Sequence, residues 1–309
     1  MNDFSDDFFD EKKIKKAVRR GKLKTIITVI IISIMVFVVL NIANFAISEN
    51  YSEKAYKQWD AYVRLSTPNG YISEAVDSRG LFGGVSNYEI SKDFKIKSIV
   101  IERKQYSFGL FPSIFKTRFS GGKIAMGSED WHFGYRENGW RKMAFFHPNV
   151  SYKKYKDDEE QIELMQGNKI YEVALSFDRP YKPWEIFVQL PEMTWFWVDT
   201  YSSEQLNEFQ QEAKEYDGFI SEYEALGFSI NRPYISIHDL EGEYEEFLEL
   251  LHMSFSSDHH NSFNKMRDVK LEDVDILGVV VYGTKEEIVE ILKEPFIKAS
   301  SIGGVIENY

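Results

Sequence analysis

TIITVIIISIMVFVVLNIANFAIS, Thr25 to Ser48, has no charged residue in 24 positions, and the reading of that run governs the rest of the chain. As a helix rising 1.5 Å per residue it spans roughly 36 Å, against about 30 Å of bilayer hydrocarbon. It is long enough to cross a membrane. β-Branched residues fill it all the way round and leave no polar face, which argues against a buried helix of a soluble domain. A secretory signal also begins with cations, but its apolar core is usually about 7 to 15 residues and ends at a small-x-small site. Here Ala43 and Ala46 stand three apart, so an uncleaved anchor is expected. Asn41 and Asn44 fall at the outer end, where interfacial placement is expected; at depth they would weaken the helix for an intramembrane protease.

Lys12, Lys13, Lys15, Lys16, Arg19, Arg20, Lys22 and Lys24 precede the run, whereas the twelve residues after it hold only Lys54 and Lys57 as cations. The positive-inside rule therefore places residues 1–24 in the cytoplasm and the body of the chain outside. Eight cations against five acids leave this head at +3, and with a net charge of −12 overall the remainder carries −15. An acidic outer domain repels polyanions, so no direct nucleic-acid contact is expected. The eight cations read instead as an orientation signal and an anchor on anionic lipid. There is no cysteine, which excludes disulfides, thiolate metal sites and cysteine nucleophiles.

The organisation expected is a cytoplasmic head (1–24), a transmembrane helix (25–48), a stalk with a small β-rich region (49–150) and an α+β domain (165–309). In the head, Ile14 and Val18 lie four apart beside Ala17, the spacing of one helical stripe, and Gly21 would weaken that helix before the membrane. Residues 49–60 continue as a helix or stalk until Pro68 and Asn69-Gly70 turn the chain. Strand-like runs follow at 95–101, 105–111 and 116–119. The polar segment 152–163 reads as a surface connection and the domain boundary.

Beyond it, 170–177 alternates as a half-buried strand, 185–190 and 194–200 read as strands, and Ser202 with Gln205 opens a helix. That helix has Leu206, Phe209, Ala213, Tyr216, Ile220, Tyr223 and Leu226 on one face and stops at Gly227. A second helix runs over 243–253, then a strand over 277–282, a helix capped by Thr284 and Glu287, and a last strand near 296–306. The fold class is α+β: a single N-terminal transmembrane helix followed by an extracytoplasmic α+β ectodomain, with helices over one face of a sheet.

Chemical signatures are sparse. Ser-x-x-Lys occurs at Ser113, Ser120 and Ser151 with no Lys-Thr-Gly partner, which is the pattern of chance. His252, His259 and His260 cluster beside Asp258, but without convergent ligand spacing they read as a solvated loop. No Walker loop, dinucleotide fingerprint or nucleophile elbow occurs. Trp195 and Trp197 alternate as core residues. No catalytic residue, metal or cofactor is expected.

Five stretches carry a resemblance to a known family. They are KAVRRGKLK (16–24) running into the apolar run, VALSFDRPYKPWEI (173–186), WFWVDTY (195–201), GVVVYGTKEEIVEIL (278–292) and IKASSIGGVIE (297–307). In these the chain resembles the sigma factor regulator family of bacterial membrane anti-sigma factors, its N-terminal region falling at about 9–100. The resemblance implies an inhibitor that holds an extracytoplasmic-function sigma factor at the inner membrane face and responds to envelope state through its outer domain. It implies a single-pass protein of the cell membrane and leaves room for a second membrane protein as co-regulator. On this reading Phe4, Phe8, Phe9, Ile14 and Val18 are the partner-binding anchors, since a short peptide needs a few buried hot spots. The alternative is an envelope binding or assembly protein with no sigma partner.

Overall fold

The computed structural model describes residues 11–94, 96–115, 134–190, 192–215, 217–230 and 237–308. Its first element, α1 (Glu11–Ser66), is one helix of 56 residues, about 84 Å long at 1.5 Å per residue. Every residue from Lys12 to Ile42 is exposed, so the apolar run has no protein cover up to that point. Among the described residues this is the helix long and apolar enough to cross a membrane. Gly21 does not interrupt it, and the expected stalk is its continuation. The helix ends where foreseen: Thr67 N–H donates to Val63 O at 2.9 Å, and Asn69 turns the chain with a φ of 56°. Asparagine tolerates that left-handed conformation because its short side chain bonds locally.

Three strands follow as an antiparallel meander: β1 (Gly70–Arg79), β2 (Gly83–Phe94) and β3 (Lys97–Gly109). The sequence reading began its strands too late and broke β3 at Glu102–Lys104; the segment 116–119 lies outside the described residues. The strand accommodates those charges because Arg103 is exposed and donates to Glu89 at 2.6 Å, while Glu102 and Lys104 pair with one another on the opposite face, towards Trp59 and Tyr62. A single 3-10 turn, Pro112–Phe115, packs against the end of the meander.

The second sheet is wholly antiparallel. It joins β5 (Lys169–Tyr181), β6 (Met193–Val198), β8 (Gly227–Ser229), β9 (Ile276–Gly283) and β10 (Ile297–Glu307) in the order β10-β5-β9-β6-β8. Val173, Leu175, Phe196, Val279 and Val281 face one layer of helices: α3 (Pro183–Gln189), α5 (Ile237–Met253), α7 (Lys285–Leu292) and the end of α1. The opposite face, with Ala174, Trp195, Trp197 and Val280, is covered by the ribbon β4–β7 (Ala144–Phe145 with Ile220–Ser221) and by α4 (Ser203–Glu215). Both faces of β5 are therefore buried, and its alternation does not mark a solvent side.

Two assignments change for identifiable reasons. Of the expected strand 185–190, residues 185–189 are helical because Pro183 presets the first turn and the Glu185 carboxylate accepts the Lys182 N–H at 2.9 Å. The buried pair is Ile186 and Leu190, four apart, while Val188 is exposed. The long helix expected to reach Leu226 stops at Glu215, and Ile220 pairs with Phe145 in β7 instead. Tyr216 lies outside the described residues. Here strand pairing outweighs a periodicity that both structures satisfy.

The polar segment before β5 holds α2 (Glu159–Leu164) and lies along β10. Lys156 O accepts Ser300 N–H at 3.0 Å, and the buried Asp158 carboxylate accepts from Ile302 N–H and Arg141 at 2.8 and 2.5 Å.

Gly278 lies in the sheet where a Cβ would sit 2.2 Å from Leu175 O of the neighbouring strand, whereas Gly242 on α5 has open space. Gly278→Ala is expected to lower stability by roughly 3 kcal/mol through forced strand separation, and Gly242→Ala to raise it by about 0.5–1 kcal/mol. Denaturant midpoints of the solubilised full chain check both.

Candidate functional site

The two ends of α1 carry the residues with functional potential. At its start Ile14 and Val18 are exposed on one face, 44 % and 52 % accessible, and the eight cations from Lys12 to Lys24 are exposed around them. This makes a short apolar ridge set among cations, on the same helix as the uncharged run. Phe4, Phe8 and Phe9 lie outside the described residues.

At its other end the helix is wedged between both sheets. Ala61 and Leu65 enter the core of the large sheet, while Val63 enters that of the meander with Ile72, Tyr88, Ile90 and Ile101. Arg64 pairs with Glu246 of α5 at 2.7 Å. Trp59 stacks on Tyr106 of β3 with ring centroids 3.4 Å apart. Tyr62 stacks on Phe255 and on His259 of α6 (Ser257–Met266). Lower on the helix, Ser52 bonds Asp77 of β1, Glu49 pairs with Arg79 at 2.5 Å, and Asn44 reaches the β1–β2 turn. The helix cannot slide or turn without breaking contacts to both sheets.

A buried ionic cluster fastens the meander to the large sheet. Lys92 of β2 donates to Glu172 of β5 at 2.8 Å and to Glu222 at 2.9 Å, each of these side chains about 1–2 % accessible. Arg136 donates to the same Glu222 oxygen at 2.5 Å, and the other oxygen accepts Met143 N–H at 3.1 Å. Glu172 in turn accepts from Tyr282 Oη at 3.1 Å and from Gly304 N–H at 3.0 Å. Burial disfavours the Glu222 carboxylate, but Arg136 and Lys92 outweigh it and hold its pKa at about 2. Two cations and two carboxylates balance, with the remaining oxygen valences met by backbone and phenol donors.

The Gly303-Gly304 pair makes this junction possible. A Cβ on Gly303 would meet the Glu172 carboxylate at 2.5 Å, and one on Gly304 would meet the Phe94 ring at 2.4 Å. The glycines of the IKASSIGGVIE stretch therefore leave room for a carboxylate and for an aromatic of the meander.

Beside the cluster lies a cavity of 230 Å³ lined by Trp59, Tyr62, Glu102, Lys104, Lys142 and Glu222 among others. Burial, with the Arg136 charge nearby, lowers the Lys142 pKa. The cavity is smaller than the roughly 300 Å³ at which ligand pockets usually begin, and its charged walls suit water.

The histidines lie on two helices rather than in a loop, His252 and His260 exposed as expected and His259 not. His259 is buried, its Nδ1 2.8 Å from Ser254 Oγ, and His260 Nε2 lies 2.6 Å from Ser254 O. Burial and the neighbouring His260 push the His259 pKa down to about 4. Among the described residues no group of three or more histidine, aspartate or glutamate side chains is placed to hold a metal ion.

The sequence reading did not find Lys92, Arg136, Glu172 or Glu222. The one signal was Glu172, a charge inside the otherwise apolar or small-residue strand Ile170–Phe177.

Comparison with known proteins gives two matches. The sigma factor regulator N-terminal family matches residues 11–97, and the sigma factor regulator C-terminal family matches residues 162–304. No curated protein and no solved structure matches the chain.

Lys92→Met should destabilise the protein by about 3–5 kcal/mol, because it leaves the buried Glu172 carboxylate without its cation and Glu222 with Arg136 alone; thermal or denaturant unfolding of the full chain reads this. Acid should act in two windows. His259 has a folded pKa below its unfolded value, so the stability it contributes is complete above about pH 6.5 and is lost as pH falls towards about 4. Glu222, also depressed, contributes above about pH 4.5 and loses that contribution as pH falls through about 2. Between pH 7 and 5 the loss from His259 should be about 2 kcal/mol, and His259→Gln should flatten that part of the stability profile.

Proposed function

The chain belongs to the sigma factor regulator family, and from that premise we propose that it is a membrane-anchored anti-sigma factor that sequesters an extracytoplasmic-function sigma factor at the cytoplasmic face of the membrane. The supporting observation is the single helix from Glu11 to Ser66, which carries the Ile14/Val18 ridge at one end and is wedged between two sheets at the other. A sigma factor is the partner of the head. The outer domain responds to the state of the envelope.

The physical case rests on rigidity. A break at the membrane surface would let the head move independently of the domain, whereas an unbroken helix converts a shift of the domain into a shift or rotation of Ile14 and Val18. The acidic domain is on the outer side, since the cations precede the apolar run. A second membrane protein could act through the same domain as co-regulator. This reading assigns the protein no catalysis.

The test is capture of partners from native membranes by the solubilised, tagged full chain. A sigma factor should be recovered with the wild type. It should be lost when residues 2–18 are replaced by a Gly/Ser tail with the basic flank retained, and reduced at least tenfold by Ile14→Asp with Val18→Asp, as expected for removing apolar anchors of a short interface. Recovery of envelope proteins alone, unchanged by the replacement, would instead assign the protein to envelope binding or assembly.

A further inference from the structure

The β1–β2 turn is fixed to the membrane helix at one defined level. Asn44 Nδ2 donates to Gly80 O at 3.2 Å, and Asn44 Oδ1 accepts the Phe82 N–H. Arg79 lies over the Phe45 ring, 5.3 Å from its centroid. Asn41, one turn earlier, behaves differently: its amide donates to Phe37 O of its own helix at 2.8 Å. That is how a polar side chain is satisfied where no other partner is near.

The level of Asn44 can be placed by length. About 30 Å of hydrocarbon takes about 20 helical residues, and counted from Ile26 those residues end at Phe45. The turn Gly80–Gly83 is thus held where the helix leaves the hydrocarbon.

The side chains presented there are apolar and uncovered. Leu81 at the tip is 71 % accessible, and Phe111 and Ile114, in the turn that packs beside it, are 56 % and 72 % accessible. Leu110 is exposed as well, and its N–H donates to Phe82 O at 3.0 Å, which ties the two segments together. Phe82 is held at a φ of 54°, a left-handed conformation costing an ordinary residue of order 1–2 kcal/mol. The fold keeps it there with the Asn44 bond. Scattered apolar residues on a soluble surface need no explanation, but four on two tied segments at the height of the bilayer edge do.

We infer that this tip, Leu81 with Leu110, Phe111 and Ile114, inserts into the interfacial region of the lipid bilayer and is the second membrane contact of the domain. The occupant is lipid because the turn is bonded to α1 at Asn44, between the exposed apolar side chains of Ile42 and Phe45 that continue the uncharged run. Two contacts, one helix and one wedge, fix the tilt of the domain on the membrane. The state of the lipid surface then bears directly on the meander that grips α1. The inference rests on the reading of α1 as a membrane span, and the experiment separates the two.

The chain has no cysteine, so single cysteines can be labelled with an environment-sensitive fluorophore in the full-length protein in liposomes. Leu81→Cys and Ile114→Cys report the tip, Phe37→Cys the span, and Val188→Cys on α3, 79 % accessible, the solvated domain. Lipids carrying a quencher near the headgroup should quench positions 81 and 114 several-fold more than position 188, while a quencher deep in the acyl chain acts best at 37. If 37 is quenched and 81 and 114 behave like 188, the tip inference is overturned and the span stands. If 37 is not quenched, the span reading falls and the inference with it. If 81 and 114 are shielded from aqueous quencher but untouched by either lipid quencher, the patch is covered by protein and the lipid assignment is wrong.

Discussion

The ammonium of Lys92, held between the carboxylates of Glu172 and Glu222, is the interaction on which the arrangement of the two sheets depends. It joins β2 of the meander to β5 of the large sheet with almost no solvent access. Such a cluster is costly to assemble, since each ion loses hydration worth several kcal/mol, and it is tolerable only because Arg136, Tyr282, Met143 and Gly304 complete the bonding. It contributes little net stability compared with an apolar junction of the same shape. What it adds is register: a wrong docking of the two sheets would leave buried charges unpaired.

That register positions the end of α1. With the sheets locked, Val63 on one side and Ala61 and Leu65 on the other occupy fixed sites, and the ring stacks of Trp59 and Tyr62 set the rotation of the helix. Below them Ser52, Glu49 and Asn44 continue the attachment along the helix into the end of the uncharged run. The apolar run therefore leaves a folded body rather than a flexible stalk, and residues 11–24 continue the same helix without a break. On the function proposed above, with one working surface at each end of α1, a stiff connection is the physical means of linking them.

The chain order of elements was largely legible. Thr284 and Glu287 cap α7 as their spacing required, with Thr284 Oγ1 accepting Glu287 N–H and the glutamate returning to Thr284 N–H at 2.8 Å. Ser202 and Gln205 do the same for α4. Local capping can be read because both partners are in the same four residues. Where the reading failed, the competing force came from far along the chain: Ile220 left a plausible helix face to pair with Phe145, and Ile186 with Leu190 matched a strand period as well as a helical one. Ile14 and Val18 are exposed on one helical face, as their spacing implied.

The sequence by itself determined that there is a 24-residue uncharged run with cations on one flank, an α+β body without disulfides, and the stretches that carry the family resemblance. These follow from composition, periodicity and nearest neighbours, which are local properties. Only the tertiary structure decided that Lys92, Arg136, Glu172 and Glu222 meet, that Gly303 and Gly304 clear the space for them, and that Asn44 holds the tip of a hairpin 36 residues away. Buried charges look like surface charges in a sequence, because what distinguishes them is the loss of water, and that loss depends on segments far apart in the chain.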